Sequence, residues 1–220
     1  MLRAAGVGVG DEVIVPAFGN VEVAEAVTLT GATPVFADID PATYCLDATA
    51  VEAVVTPRSA AVVAVHRFGR SADIARLRVV GQRHGLLVLE QGESEAPYDE
   101  IAQRRERAAY LDGRLSGVRT PHGGDGHTYQ QYVVRVPGNG RPDRDAFARA
   151  VRAKGVECRV PVKTPVHRMP GFRRDVCLPE TERAADETLA LPVDAALTKR
   201  EMQRIVSACN ALGGLLQPAF

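Results

Sequence analysis

The chain has no excess of either charge: 27 lysine and arginine side chains are matched by 27 aspartates and glutamates, and the two signs are mixed along the sequence. Without a basic patch there is no strong electrostatic attraction to nucleic acid or to an anionic membrane surface, so neither is expected as a partner. The four cysteines, Cys45, Cys158, Cys177 and Cys209, form no CxxC pair, and no His or Cys stands near them at zinc-ligand spacing. They are expected to be reduced thiols. No apolar run approaches the ~20 residues that a membrane-spanning helix needs, and no basic segment followed by an apolar core opens the sequence, which gives a cytoplasmic expectation. Lysine is scarce as well, confined to Lys154, Lys163 and Lys199.

What is present is an ordinary globular composition. With 45% apolar and 25% charged residues over 220 positions, the chain can build one large domain or two small ones. In its first half, short β-branched runs alternate with helical stretches. Val13 to Pro16, Thr33 to Ala37, Ala60 to Val65 and Leu86 to Glu90 read as strands, each apolar and ended by turn or polar residues. Val21 to Leu29, Ala48 to Val55 and Asp73 to His84 read as the helices between them. Fully apolar strands with helical crossovers specify an α/β layer with a parallel sheet. From about Tyr98 the pattern changes to α+β. A charged helix, Tyr98 to Leu115, leads to a turn at Gly123, Gly124 and Gly126, and strands are expected at Tyr129 to Val136 and Val156 to Val162 around a helix from Asp143 to Lys154. Thr198 and Glu201 form a capping box at the start of a last helix ending near Leu212. The expected division is residues 1–97 and 98–220.

Several isolated features carry little chemistry. The glycines of GVGVG (6 to 10) precede the first strand instead of following it, so they read as a helix end and turn, not as a dinucleotide fingerprint. Arg104, Arg105 and Arg107 lie on a helix interleaved with acids, as a solvated ion-paired face does. His66 follows a strand in AVHRFG, at the end of a parallel sheet where α/β ligands bind, although strand-end packing is the preferred reading of it. No histidine pair has metal-ligand spacing.

The order of segments GVGVGDEVIVPAF, TGATPVFADIDPATYCLD, TPRSAAVVAVHRFGRSADI and HGLLVLE resembles the large-domain half of the DegT/DnrJ/EryC1/StrS sugar aminotransferases. HTYQQYVVRV, KGVECRVPVKTPVHRMPGF and the final LPETERAADETLALPVDAALTKREMQRIV resemble that family's C-terminal domain. The resemblance implies a fold-type-I, pyridoxal-phosphate-dependent enzyme that aminates a keto sugar or cyclitol. Such chemistry needs a carboxylate to keep the cofactor ring protonated, an aromatic or polar clamp on the ring, and a lysine for the Schiff base.

Set against that pattern, the cofactor positions are degenerate. LEQGES stands where the family has a motif of the IEDAAQ type, so Gln91 replaces the aspartate beside the ring nitrogen, and each pKa unit lost there is about 1.4 kcal/mol of preference for the protonated ring. Ser94 stands in place of the family's Gln or His, and Asn20, in PAFGN, in place of a stacking aromatic. His167, in TPVHRMPGF, matches a PxH segment near the entrance of the active site and, with His66, is a candidate substrate contact. The SxxK segment that carries the Schiff-base lysine has no counterpart, and the upstream turn that holds the cofactor phosphate would precede Met1. No catalytic residue is therefore assigned. The resemblance implies a chain inactive by itself. Such a chain could be a truncated member or pseudoenzyme, an interaction subunit of a full-length paralogue, or an aminotransferase completed by a partner, and self-association or a heteromer is expected.

Overall fold

The computed structural model describes residues 2–19, 21–92, 97–124 and 126–213. They pack as two compact units. The first takes residues 1–67, 71–93 and 164–182, and the second takes 68–70, 94–163 and 183–220.

The first unit is built on four strands, β1 (Glu12–Pro16), β2 (Thr33–Ala37), β3 (Ser59–Val65) and β4 (Leu87–Gln91), in the order β2-β1-β3-β4 and parallel throughout. The expected parallel α/β layer is the one observed. Every residue of β1 is buried, as a strand covered on both faces must be. Period-two alternation sorts its side chains. Val13 and Val15 join Ala61 and Val63 in a core shared with α1 (Glu22–Thr28), whereas Ile14 joins Val62 and Ala64 in a core shared with α2 (Ala48–Ala53) and α3 (Ile74–His84).

Local chemistry sets the helix ends. Asp47 caps α2 by accepting from the Thr49 amide (3.1 Å), and Asp73 caps α3 by accepting from the Arg76 amide (3.0 Å). Gly85, at φ +69°, ends α3 in the left-handed conformation that glycine adopts without strain. Gly81 lets α3 lie close on the sheet: a Cβ there would meet Val88 Cγ2 at 2.7 Å and Leu86 O at 3.0 Å. The glycines at 6, 8 and 10 form the expected turn before β1, with Gly6 closing a 3-10 turn at φ +83°.

The segment 164–182 belongs to this unit through backbone bonds. Val166 N–H donates to Ala17 O (2.9 Å), and the Asp38 carboxylate, just beyond β2, accepts from the amides of Glu180 (3.0 Å) and Thr181 (2.8 Å). These are the free N–H groups that open α4 (Pro179–Glu187), so Asp38 caps a helix about 140 residues away. Asp38→Ala should therefore lower stability by about 1–2 kcal/mol in denaturant unfolding, while Asp38→Asn, which keeps one acceptor, should lose less than half of that.

The second unit contains α5 (Tyr98–Asp112), β5 (Tyr132–Arg135), α6 (Arg141–Ala153), β6 (Thr188–Leu191) and α7 (Lys199–Gly213). β5 and β6 form an antiparallel pair, Tyr132 opposite Leu191 and Arg135 opposite Thr188. Tyr132, Val134, Phe147, Val151, Leu189, Ile205 and Cys209 fill the core between the pair and the helices. The expected strand at 156–162 is absent. That segment makes a single bridge, Arg159 with Ala190 (3.1 and 2.8 Å), and Pro161 has no N–H with which to extend it. The strand that pairs with β5 is 188–191. The capping box of the last helix forms as expected: Thr198 N–H donates to Glu201 Oε2 (2.8 Å), and Glu201 N–H donates to Thr198 Oγ1 (3.3 Å).

Candidate functional site

Because all four strands of the first unit run parallel, the residues that follow them converge on one end of the sheet, the end where α/β proteins bind ligands. Phe18 follows β1, Asp38 follows β2, His66 follows β3, and Gln91 ends β4. Phe18 is fully buried and stacks on Tyr44 with ring centroids 5.7 Å apart. Asp38 is engaged by the two amides of α4 described above. His66 N–H donates to Gln91 O (3.0 Å), which knits the ends of β3 and β4 together.

The His66 side chain is held by its neighbours. Nδ1 accepts from Ala72 N–H (3.0 Å), which leaves Nε2 to carry the proton of the neutral ring, and Nε2 lies 4.0 Å from Glu90 Oε2. The other Glu90 oxygen takes Arg78 at 2.8 Å. Gln91 is exposed, an amide where the aminotransferase pattern calls for a carboxylate. Asn20 and Ser94 lie outside the described residues. His66 and Gln91 are thus brought to the same sheet end.

His167 is placed in the interior of the first unit. It is 1% exposed, 6.4 Å from the Phe36 ring, with Nε2 at 3.3 Å from Glu182 Oε1, an oxygen that Arg168 also contacts at 2.6 Å. Among the described residues its Nδ1 has no hydrogen-bond partner. A histidine so enclosed is positioned by Glu182 and by packing.

The residues present do not fit covalent pyridoxal phosphate. The unit built on the parallel sheet contains no lysine, and Lys154, Lys163 and Lys199 are all exposed residues of the second unit. Among the described residues no group of His, Cys, Asp and Glu could hold a metal ion, and no helix is long and apolar enough to cross a membrane. A cavity of about 660 Å³ lies within the second unit, lined by Gln131, Arg152, Cys158, Arg159 and Asp194 among others, and it contains none of the expected site residues.

Sequence reasoning missed the polar centre of the second unit. His127 is 4% exposed and stacks on Tyr129 at 3.9 Å. Burial, followed by the charges of Arg70 and Arg105, pulls its pKa down to about 4. The arginine run is not merely a solvated face: Arg105 donates to His127 O (2.9 Å), Arg107 to Ala195 O and Gln103 O, and only Arg104 makes the expected i,i+4 pair with Glu100 (3.0 Å). Sequence patterning could not find the bonds to His127 O and Ala195 O, because those acceptors are backbone carbonyls 22 and 88 positions along the chain.

The parallel α/β sheet of the first unit and the α+β arrangement of the second agree with the expected fold type I, and so does comparison with known proteins. The sequence pattern that defines the DegT/DnrJ/EryC1/StrS aminotransferase family matches residues 1–92 and 98–210, and the chain belongs to that family. It is 29% identical to the pleiotropic regulatory protein of Geobacillus stearothermophilus over 299 residues, covering 93% of this chain and 79% of that one. It is 52% identical over 89 residues to L-glutamine:2-deoxy-scyllo-inosose aminotransferase of Streptomyces kanamyceticus, a match to 40% of this chain but only 21% of that enzyme. The crystal structure of a DegT/DnrJ/EryC1/StrS aminotransferase from Brucella abortus superposes with a TM-score of 0.87 at 20% identity, covering 97% of this chain and 82% of the other. In the Geobacillus comparison, 93% of this chain, about 205 residues, spreads over 299 aligned positions, so about 94 positions of the relative face no residue here.

Proposed function

We propose that this chain is a member of the keto-sugar and cyclitol aminotransferase family that does not transaminate by itself. The observation that carries the reading is the distribution of lysine: none in the unit whose sheet end should hold the cofactor, and three exposed ones elsewhere. Pyridoxal phosphate, when bound to an enzyme of this class, supplies an electron sink, and it is held for that task as a Schiff base with a lysine. Gln91 adds to the case, since an amide cannot hold the ring nitrogen protonated as a carboxylate does. The break in the family match between residues 92 and 98, with the unmatched positions of the Geobacillus relative, supports an internal deletion of the lysine-bearing segment. The cyclitol named for the Streptomyces relative supports a ligand of that class for any binding capacity that the chain retains.

The test is spectroscopic. Pyridoxal phosphate added to the purified protein should give no saturable Schiff-base absorption and no half-transamination with glutamate, and borohydride should fix no stoichiometric label on a lysine. Gln91→Asp alone should restore none of these. A stoichiometric label on one lysine of the isolated chain overturns the proposal, and a label on Lys163, four residues from His167, would indicate a rebuilt active site. A label that appears only after mixing with a full-length relative favours completion by a partner chain.

A further inference from the structure

The sheet of the first unit has two edges, and they differ. On the β2 side, Thr33 N–H donates inward to Asp11 O (2.9 Å), so by strand alternation the next residue, Pro34, turns its nitrogen outward. That edge lacks a donor where a further strand would need one. The β4 side has no such block. Among the described residues no strand pairs with its outer edge, its five residues LVLEQ include no proline or lysine, and Leu87 is 39% exposed.

The hydrogen bonding fixes which groups are free. Gln91 O accepts from His66 N–H, so the main-chain groups of Gln91, and by alternation those of Leu89 and Leu87, face β3. Val88 and Glu90 therefore present their N–H and C=O groups outward. An antiparallel partner needs outward groups two residues apart, and a second copy of the same strand offers them. With a two-fold axis through Leu89, Val88 of each copy lies opposite Glu90 of the other in hydrogen-bonded pairs, and Leu89 faces Leu89 in a non-hydrogen-bonded pair. That register pairs all five residues of β4. It also keeps the carboxylates apart, whereas an axis through Glu90 would set Glu90 against Glu90.

The faces agree with this arrangement. Val88 packs beneath Gly81 of α3, so Leu87 and Leu89 lie on the opposite face, where Leu89 belongs to the core of Val13, Val15 and Val63. Two copies would extend that apolar face across the axis, and the sheet would become eight parallel-within-copy strands joined by one antiparallel seam. We infer that β4 is the self-association edge of this chain, and that its occupant is β4 of a second copy. The inference does not depend on the proposed loss of catalysis, since it rests on the edge alone.

Position-specific cross-linking tests it on the full chain, with the exposed native thiol removed by Cys177→Ser. Non-hydrogen-bonded antiparallel residues lie about 4.5 Å apart at Cα, within disulfide range. Leu89→Cys should therefore oxidise to a covalent dimer. Leu87→Cys should not, because on this register each Leu87 faces Gln91 and the two copies of residue 87 are roughly 14 Å apart. In sedimentation the wild-type chain should be a dimer at micromolar concentration, and Leu87→Lys, at a position already partly in solvent, should dissociate at least tenfold more readily while keeping its circular dichroism. A wild-type monomer overturns the inference. So does a dimer that cross-links through Leu87→Cys and not through Leu89→Cys, or one that forms only when a longer relative is added.

Discussion

Lowering the pH from 7 to 4 should remove about 3 kcal/mol of stability from the second unit through His127 alone. The ring is 4% exposed, stacked on Tyr129, and its Nδ1 sits 3.1 Å from both Tyr129 N and Gly69 O. Burial is the largest cause of its lowered pKa, the charge of Arg70 follows, the Gly69 carbonyl partly opposes them, and Arg105 adds a smaller push; together they bring it from 6.5 to about 4. The unfolded chain therefore takes up a proton near pH 6.5 while the folded chain does not. Stability from the neutral ring is complete above about 6.5, falls as the pH drops through the interval, and is fully lost near 4, because protons then bind the unfolded state first. About 2.5 pKa units at about 1.4 kcal/mol each gives about 3.5 kcal/mol for the whole shift, of which about 3 is lost between pH 7 and 4. Urea midpoints measured between pH 7.5 and 4.5 should decline steeply for the wild type and more shallowly for His127→Gln. Carboxylates contribute equally to both curves, so their difference isolates the histidine. Parallel curves would mean that the ring titrates normally.

The sequence made most of the first unit legible, for a local reason. Its strands are short apolar runs ended by turn or polar residues, and α2 and α3 carry their own aspartate caps, so period and punctuation suffice there without knowledge of partners. β6 shows the opposite case. Thr188 to Leu191 is four residues between a helix and Pro192, too short to display alternation, whereas 156–162 has the composition of a strand but a proline and only one bridging position. Pairing, not propensity, decided between them. At the candidate site the same division holds. Gln91 was readable because the strand end that precedes it matches the family pattern while its own position has lost the carboxylate, and His66 because it follows a strand. The caps that Asp38 supplies to Glu180 and Thr181 were not readable, since they join residues about 140 positions apart. His127 carries no local signal for the same reason: its partners come from residues 68–70 and α5, elements that no local window contains.

Arg144→Met should destabilise the protein by about 3 kcal/mol, the second large effect expected here. Arginine in the first turns of a helix is normally solvated, yet Arg144, in α6, is 2% exposed. Its Nη1 donates to Ala185 O (2.9 Å) and Thr188 O (3.1 Å), and its Nε donates to Asp145 Oδ1 (2.6 Å). The two carbonyls belong to the end of α4 and the start of β6, where the helix stops and the strand paired with β5 begins. The guanidinium thus satisfies acceptors left over by a change of secondary structure, a task that the backbone of β6 cannot perform for itself. Methionine fills much of the same volume but donates nothing, leaving two buried carbonyls unpaired at about 1–3 kcal/mol each before any relaxation. Arg144→Lys should recover less than half of the loss, because one ammonium cannot reproduce the planar fork. Asp145→Ala should cost no more than about 1 kcal/mol, since that carboxylate is 43% exposed and its pair with Arg144 is well solvated on one side. Denaturant midpoints for the three variants should therefore fall in the order Arg144→Met, Arg144→Lys, Asp145→Ala, from least to most stable. If Asp145→Ala proved as damaging as Arg144→Met, the ion pair and not the carbonyl contacts would be holding β6 in place.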